Sequence, residues 1–234
     1  MPVERDLLVL GADGCKGGGW AVGMIDGEGG LSWHAAASTA ALLELADEFD
    51  ADAVALDVPI GLPALGGRRA CDDLTRARLG ARRSSVFAAP PREVLACATY
   101  AEARPLAPSL SAQAFGLVPR IREVDEVLRA RGPEVHRRVV ECHPELAFAA
   151  MAAGRPLAAK KTAAGALQRI GLLEEALEEA GGKGLPSDVP GPASLDDALD
   201  AAVCALVALR WARGEAEVLG DELDARGTPM RIVC

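Results

Sequence analysis

Aromatic residues are scarce in this chain of 234 residues, in which Phe, Trp and Tyr together make up 3%. Proteins that bind single-stranded nucleic acid by stacking its bases on aromatic side chains need more of these residues. The apolar residues are mainly Ala, Leu and Val, which favours helices packed on a sheet of buried strands. The composition therefore predicts an α/β protein, and the length suits a single domain, 1–234, that carries an insertion.

Long apolar runs and paired cysteines are also missing. No stretch reaches the ~20 apolar residues of a transmembrane helix, and the start, MPVERDLLVL, is too acidic and too briefly apolar for a secretory signal. The six cysteines include no C-x-x-C pair, and their spacing to the three histidines does not match a zinc finger. We therefore expect a cytoplasmic protein with reduced thiols and no membrane partner, whose oligomeric state the sequence leaves open.

Basic residues are outnumbered by acidic ones, 25 to 34, and the formal net charge of −9 does not favour attraction of the whole molecule to a polyanion. The balance reverses within residues 68–92, where seven arginines accompany only two acidic residues. Guanidinium groups can bind phosphate oxygens through two parallel hydrogen bonds, although these arginines could equally form a solvated helix face paired with carboxylates. We predict that substrate phosphates are bound by Arg69, Arg76, Arg82, Arg83 and Lys161.

The spacing of apolar residues predicts a specific order of elements. Apolar runs at 7–12, 20–25 and about 31–34 are separated by Gly-rich turns, which indicates three antiparallel strands. A helix capped by Ser38 and a buried strand at 53–56 follow. Residues 68–138 contain helical stretches interrupted by prolines, which we interpret as a helical, Arg-rich insertion. The last long helix is predicted at about 195–213, with Ser194 as its cap.

Acidic residues occur at three places where these elements begin or end. Asp13 and Asp57 each follow an apolar strand, and the third place is the first part of the last helix, with Asp197 and Asp200 on one face and Asp196 turned away from them. Glycines follow Asp13, but in neither the P-loop nor the dinucleotide-binding pattern. Carboxylates from several elements suit Mg²⁺ or Mn²⁺ in phosphate chemistry. Alternatively, Asp13 and Asp57 cap the turns that follow them, and the acidic residues of the last helix interact with its dipole.

Two further segments carry groups suited to proton transfer or phosphate binding. Glu141 ends a short apolar strand and lies close to His143, so a role as general base or metal ligand is open to it. Glu145 follows Pro144 in what we interpret as the first turn of a helix. Lys160 and Lys161 form a basic pair that would either meet phosphate or lie in solvent.

The chain resembles a known family in six segments taken together: GADGCKGGGW, DVPIGLP, RRACDDLTRARLGARRSSVFAAPPR, VVECHPELAF, KKTAAGALQR and DDALDAAVCAL. These segments are similar to those of the domain of unknown function 429 family, described as predicted nucleases with an RNase H-like fold. The resemblance implies a mixed five-stranded sheet, with three antiparallel strands first and helices on both faces. It also implies two metal ions held by carboxylates of the first strand, the fourth strand and the last helix.

On this resemblance Asp13, Asp57 and Asp200 become the expected metal ligands, and Asp197 matches the spacing seen in the last helix of Holliday-junction resolvases. With Glu141 these four residues form the expected catalytic set. The expected function is a nuclease that hydrolyses phosphodiesters at a carboxylate-held Mg²⁺ or Mn²⁺. Two alternatives are a non-catalytic module that binds nucleotide or nucleic acid, and a phosphotransferase of the actin and sugar-kinase type, for which the chain lacks a second lobe.

Overall fold

The computed structural model of the chain describes residues 6–189, 191 and 193–234. They form two compact units. The first comprises the described part of Met1–Asp57 and of Arg138–Ala216, together with Cys234. The second comprises Val58–Arg137 and Glu217–Val233, so it contains most of the predicted insertion and a segment from the end of the chain.

The first unit is built on a five-stranded sheet with the order β3-β2-β1-β4-β5. Its strands are β1 (Val9–Gly14), β2 (Trp20–Ile25), β3 (Leu31–Ala36), β4 (Ala53–Leu56) and β5 (Val139–Glu141). β1, β2 and β3 are antiparallel neighbours, whereas β4 is parallel to β1 and β5 is parallel to β4. The predicted mixed sheet of five strands, three antiparallel strands first, is therefore confirmed.

Eight α-helices accompany the strands in the described residues: α1 (Thr39–Glu48), α2 (Ala70–Leu79), α3 (Tyr100–Leu106), α4 (Ala112–Phe115), α5 (Val118–Arg131), α6 (Pro144–Met151), α7 (Ala163–Glu179) and α8 (Leu195–Arg213). Several begin at a residue whose side chain accepts a hydrogen bond from the first turn, among them Ser38, Thr162 and Ser194. Such caps satisfy backbone N–H groups that have no partner within the helix. None of these helices is long and apolar enough to cross a membrane.

Helix α8 forms the centre of the first unit, where it packs on β1, β2 and β4. Every residue from Ala198 to Leu209 is buried. At Gly11 in β1 an added Cβ atom would lie 1.9 Å from the backbone nitrogen of Ala205, so strand and helix backbones approach as closely as a glycine allows. The small side chains of both elements therefore bring the beginning of α8 close to the end of β1.

The second unit consists of α2 to α5, three 3₁₀ helices (Gly80–Ser85, Arg92–Ala96 and Pro133–Arg137) and the antiparallel hairpin of β6 (Val218–Leu223) and β7 (Pro229–Val233). The prolines interrupt its helices only in part: Pro90, Pro91 and Pro108 lie outside any helix, whereas Pro119 lies in the first turn of α5 and Pro105 lies inside α3, one residue before that helix ends. Its charged groups form a network in which Arg92 donates two hydrogen bonds of 2.7 Å to Asp125 and one of 2.5 Å to Asp224.

Candidate acidic site

Strand register brings two of the predicted carboxylates together in the first unit. Ala12 of β1 pairs with Leu56 of the parallel strand β4, and Asp13 and Asp57 are the next residues of the two chains. The N–H group of Asp57 donates a hydrogen bond of 3.0 Å to the carbonyl oxygen of Ala12, which continues the ladder to this point. Neighbouring positions in a parallel ladder place their side chains on the same face of the sheet. Asp13 and Asp57 are therefore adjacent at the carboxyl ends of their strands.

Helix α8 supplies the third carboxylate. Ala201, which follows Asp200, packs in a buried cluster with Cys15 and Ala21 at the end of β1 and the start of β2. Asp200 itself is 2% exposed, so its carboxylate lies inside the protein and not at the solvated start of the helix. A charged group in such a place needs a counter-charge or hydrogen-bond donors, because its transfer out of water is costly.

Lys160 supplies that counter-charge. The Nζ atom of Lys160, from the connection between α6 and α7, donates a hydrogen bond of 2.6 Å to Oδ2 of Asp200. Its side chain is 35% exposed, so the ammonium group connects the buried carboxylate to the surface. The sequence prediction selected Lys161 for phosphate binding, but Lys161 is exposed and it is Lys160 that enters the site.

The electrostatics show that these four side chains act on one another. Burial is the main cause of a strongly raised pKa at Asp13, and the charges of Asp57 and Asp200 raise it further. Burial also raises the pKa of Asp200, to about 6, although Lys160 opposes this. Burial lowers the pKa of Lys160, but the charge of Asp200, with smaller effects of Asp13 and Asp57, more than offsets it and the pKa is raised. The site therefore combines two carboxyls that protonate readily with a permanent ammonium group.

Two thiols lie beside these carboxylates. Cys142 follows β5 and Cys204 lies one turn after Asp200 in α8, and the two buried side chains share a hydrogen bond. Burial is the main cause of the raised pKa of both thiols, and the charge of Asp57 raises both further. All six cysteines are buried and none forms a disulfide within the described residues.

Asp197 and Glu141, the other members of the predicted catalytic set, have different positions. Asp197 forms a capping box at the start of α8: its Oδ2 accepts a hydrogen bond of 2.9 Å from the N–H group of Ser194. Glu141 is paired with Leu56 in the ladder of β4 and β5, so the alternation of side chains directs it to the face opposite Asp57. Neither residue is among the main causes of the raised pKa of Asp13 or Asp200.

The residues around Glu141 have mainly local roles. His143 caps α6, because its Nδ1 accepts a hydrogen bond of 3.3 Å from the N–H group of Leu146. Glu145 accepts hydrogen bonds of 2.8 and 3.0 Å from Arg169, and its charge contributes to the raised pKa of Asp200. Glu145 is in the first turn of α6, as its position after Pro144 predicts.

The predicted phosphate-binding arginines belong to the second unit. Arg69 is 1% exposed and donates hydrogen bonds to Asp72 and to the carbonyl oxygens of Ile60 and Gly61. Its guanidinium group is thus committed to a buried ion pair, which the sequence pattern does not distinguish from the exposed arginines around it. Arg76 contacts Asp73 and the carbonyl oxygen of Val86 and lines a pocket of about 670 Å³.

Arg82 and Arg83 follow in the 3₁₀ helix Gly80–Ser85. They extend the row of arginines that begins at Arg68, whose guanidinium group pairs with Asp73. This carboxylate is shared with Arg76. Guanidinium groups therefore outnumber carboxylates in this part of the second unit, as the sequence predicts.

The negative charge of the acidic site suits a metal ion, but the positions of its side chains in this structure do not form a metal site. Among residues 6–189, 191 and 193–234, no three His, Cys, Asp or Glu side chains are grouped so that they could hold a metal ion. The donor set nevertheless fits Mg²⁺ or Mn²⁺, because Asp13, Asp57 and Asp200 offer only oxygen atoms and the charge of Asp57 raises the pKa of both Asp13 and Asp200. A divalent cation between them would offset the same repulsion that Lys160 now offsets in part.

Comparison with known proteins identifies a family for this chain, and the description of that family names no activity. The sequence profile of the family described as "Protein of unknown function (DUF429)" matches residues 11–225. The chain therefore belongs to this family. No curated protein and no solved structure matches it significantly.

Proposed function

We propose that the protein is a metal-dependent phosphodiester hydrolase, a nuclease whose first unit follows the RNase H-like plan. The observation that supports this proposal is the electrostatic interaction of three carboxylates with a single lysine, Lys160. Asp13 and Asp57 come from two neighbouring strand ends, and Asp200 comes from helix α8. In this group three acids share one base, and two of the acids have raised pKa values. Such clusters of perturbed groups are typical of functional sites.

Each residue has a role that follows from its surroundings. Asp13 and Asp57 would hold a Mg²⁺ or Mn²⁺ ion, and Asp200 would complete the set of ligands. The metal would supply an activated water molecule and polarise the phosphodiester. Lys160, which already contacts Asp200, would release part of that contact and place its ammonium group against a phosphate oxygen. Arg76, Arg82 and Arg83 would bind phosphates of the substrate.

The experiment is a cleavage assay on single-stranded and double-stranded RNA and DNA, with Mg²⁺, Mn²⁺ or EDTA. We expect metal-dependent cleavage by the wild type and a loss of ~10²-fold or more in Asp13→Asn, because a neutral amide is a poor ligand for a hard cation. Asp188→Asn is the matched control, since Asp188 is exposed and belongs to the same unit. Equal cleavage by wild type and Asp13→Asn would contradict the mechanism.

A wild type that binds oligonucleotides and cleaves none of them in any metal would instead favour the alternative of a binding module. Transfer of the γ-phosphoryl group of ATP to an acceptor hydroxyl, with release of ADP and without cleavage of the oligonucleotides, would favour a phosphotransferase. Assays of cleavage, of oligonucleotide binding and of phosphate transfer from ATP, run on the same protein, therefore separate all three functions considered from the sequence.

A further inference from the structure

The second unit contains a pocket of about 210 Å³ that shares no residue with the acidic site. It is lined by the loop 59–62, by one face of α5, by the segment 132–136 and by the β6–β7 turn. An apolar cavity of roughly 150 Å³ admits one benzene molecule. The pocket therefore has room for one ring with a small substituent, or for a compact aliphatic body of similar size.

One wall of this pocket is apolar. Ile60 and Leu62 come from the loop that follows β4, and Val124 and Leu128 come from successive turns of α5. All four side chains belong to the buried core of the unit. The small part of each that borders the pocket is apolar, and apolar walls are the usual lining of small-molecule sites.

The polar wall carries an excess of positive charge. Asp125 accepts two hydrogen bonds of 2.7 Å from Arg92, which also pairs with Asp224, so these three groups leave one negative charge. Two further guanidinium groups line the pocket. Arg226 is 50% exposed and touches Asp125 only at 3.4 Å. Arg129 makes no side-chain hydrogen bond or ion pair within the described part of the chain. The wall thus has an excess of about one positive charge.

His136 adds a polar edge without adding charge. It lines the pocket, and its buried Nδ1 atom has no hydrogen-bond partner among the described residues. Burial, and after it the charge of Arg231, lower the pKa of this imidazole from its ordinary value of 6.5. The ring is therefore neutral at pH 7, and it is one of only three histidines in the chain, which makes its signals easy to follow.

We propose that this pocket binds a small organic monoanion, a carboxylate attached to a single ring or to an apolar body of that size. The carboxylate would lie between Arg129 and Arg226, whose planar donors match its two oxygen atoms. The apolar body would lie against Ile60, Leu62 and Leu128. The proposal does not depend on the hydrolase function, because it concerns other residues and needs neither metal nor nucleic acid.

The test is a calorimetric titration of the full chain with benzoate, with benzamide as an uncharged molecule of the same shape and with inorganic phosphate as an anion without an apolar body. Imidazole NMR signals are recorded in parallel. We expect saturable binding of benzoate that shifts the signals of His136, and affinities for benzamide and phosphate at least ~10-fold lower, because a charge-assisted hydrogen bond outweighs a neutral one.

Two substitutions locate the site. Arg129→Gln and Arg226→Gln should each weaken benzoate binding by ~5- to 10-fold, and the double variant should abolish it. Both side chains are largely exposed, so the fold should be retained. Arg104→Gln is the matched control, because Arg104 is an exposed arginine of the same unit outside the pocket.

Any of four results would overturn the proposal. The first is the absence of saturable benzoate binding, and the second is equal binding of benzoate and benzamide. The third is an affinity for benzoate that stays the same in Arg129→Gln and Arg226→Gln. Phosphate binding as tight as that of benzoate would show an anion site without selection for an organic body, and would also refute it.

Discussion

The raised pKa of Asp200 predicts that this residue destabilises the folded protein at neutral pH. Its ordinary pKa of 3.8 describes the unfolded chain, and the folded protein raises it to about 6. The folded state therefore binds the proton more tightly than the unfolded state does. The stability gained from this group is fully present below pH 3.8 and is lost as the pH rises through 6.

The magnitude follows from the two pKa values. Each pKa unit corresponds to ~1.4 kcal/mol, so deprotonation of Asp200 costs the folded state ~3 kcal/mol between pH 4 and pH 8. Asp200→Asn keeps the shape of the protonated side chain and cannot ionise. We expect this variant to be about as stable as the wild type near pH 4 and up to ~3 kcal/mol more stable at pH 8, although Lys160 then loses its partner.

The assay is urea unfolding from pH 4 to pH 8 in the presence of EDTA, so that no cation offsets the repulsion. Asp188→Asn, which changes an exposed carboxylate, should follow the wild type throughout. Equal stability of Asp200→Asn and the wild type across this range, or a less stable variant at pH 8, would refute the electrostatic account of the site.

Three further predictions concern other parts of the structure. Gly11→Ala should destabilise the protein by more than ~3 kcal/mol in urea unfolding, because its Cβ atom would lie 1.9 Å from a backbone nitrogen of α8; a change below ~1 kcal/mol would contradict that packing. Lys160→Gln should raise the pKa of Asp200 above its wild-type value in a carboxyl ¹³C NMR titration, since Lys160 lowers that pKa; an unchanged titration would be inconsistent with the ion pair. If Arg82 and Arg83 each contact a phosphate, replacing both by Ala should weaken nucleic-acid binding and reduce the slope of log K against log salt by ~1.5 to 2, and an unchanged slope would exclude both from the interface.

The parts of the structure that follow from local pattern could be predicted from the sequence. Apolar runs that end at Asp13 and Asp57 indicate buried strands, and strand ends are where a parallel pair brings its last residues together. The Ala-rich run after Asp200 indicates a buried helix, because small side chains allow close packing on the sheet. The positions of Asp13, Asp57 and Asp200 at the ends of these elements could therefore be predicted without knowledge of loops or of long-range contacts.

Other residues could not be placed because their role depends on packing. Lys160 lies in a connection between helices, and no periodicity shows that it turns inward while Lys161 turns outward. The only indication in the sequence was the scarcity of lysine, which occurs at four positions, two of them adjacent. The capping role of Asp197 was within reach of the sequence, because Ser194 stands three residues before it in a capping-box pattern. Arg69 is buried through contacts with backbone carbonyls that a count of charges cannot reveal.

A crystal structure of the protein soaked with Mn²⁺ tests the central claim most directly. Anomalous scattering locates Mn²⁺ independently of the protein atoms, and the account predicts Mn²⁺ bound by Asp13 and Asp57, with a second ion ~3.5 to 4 Å away that also contacts Asp200. The same soak of Asp13→Asn should show neither ion. If the wild type binds no Mn²⁺ among these three carboxylates while it cleaves nucleic acid in the presence of that metal, the proposed site is wrong.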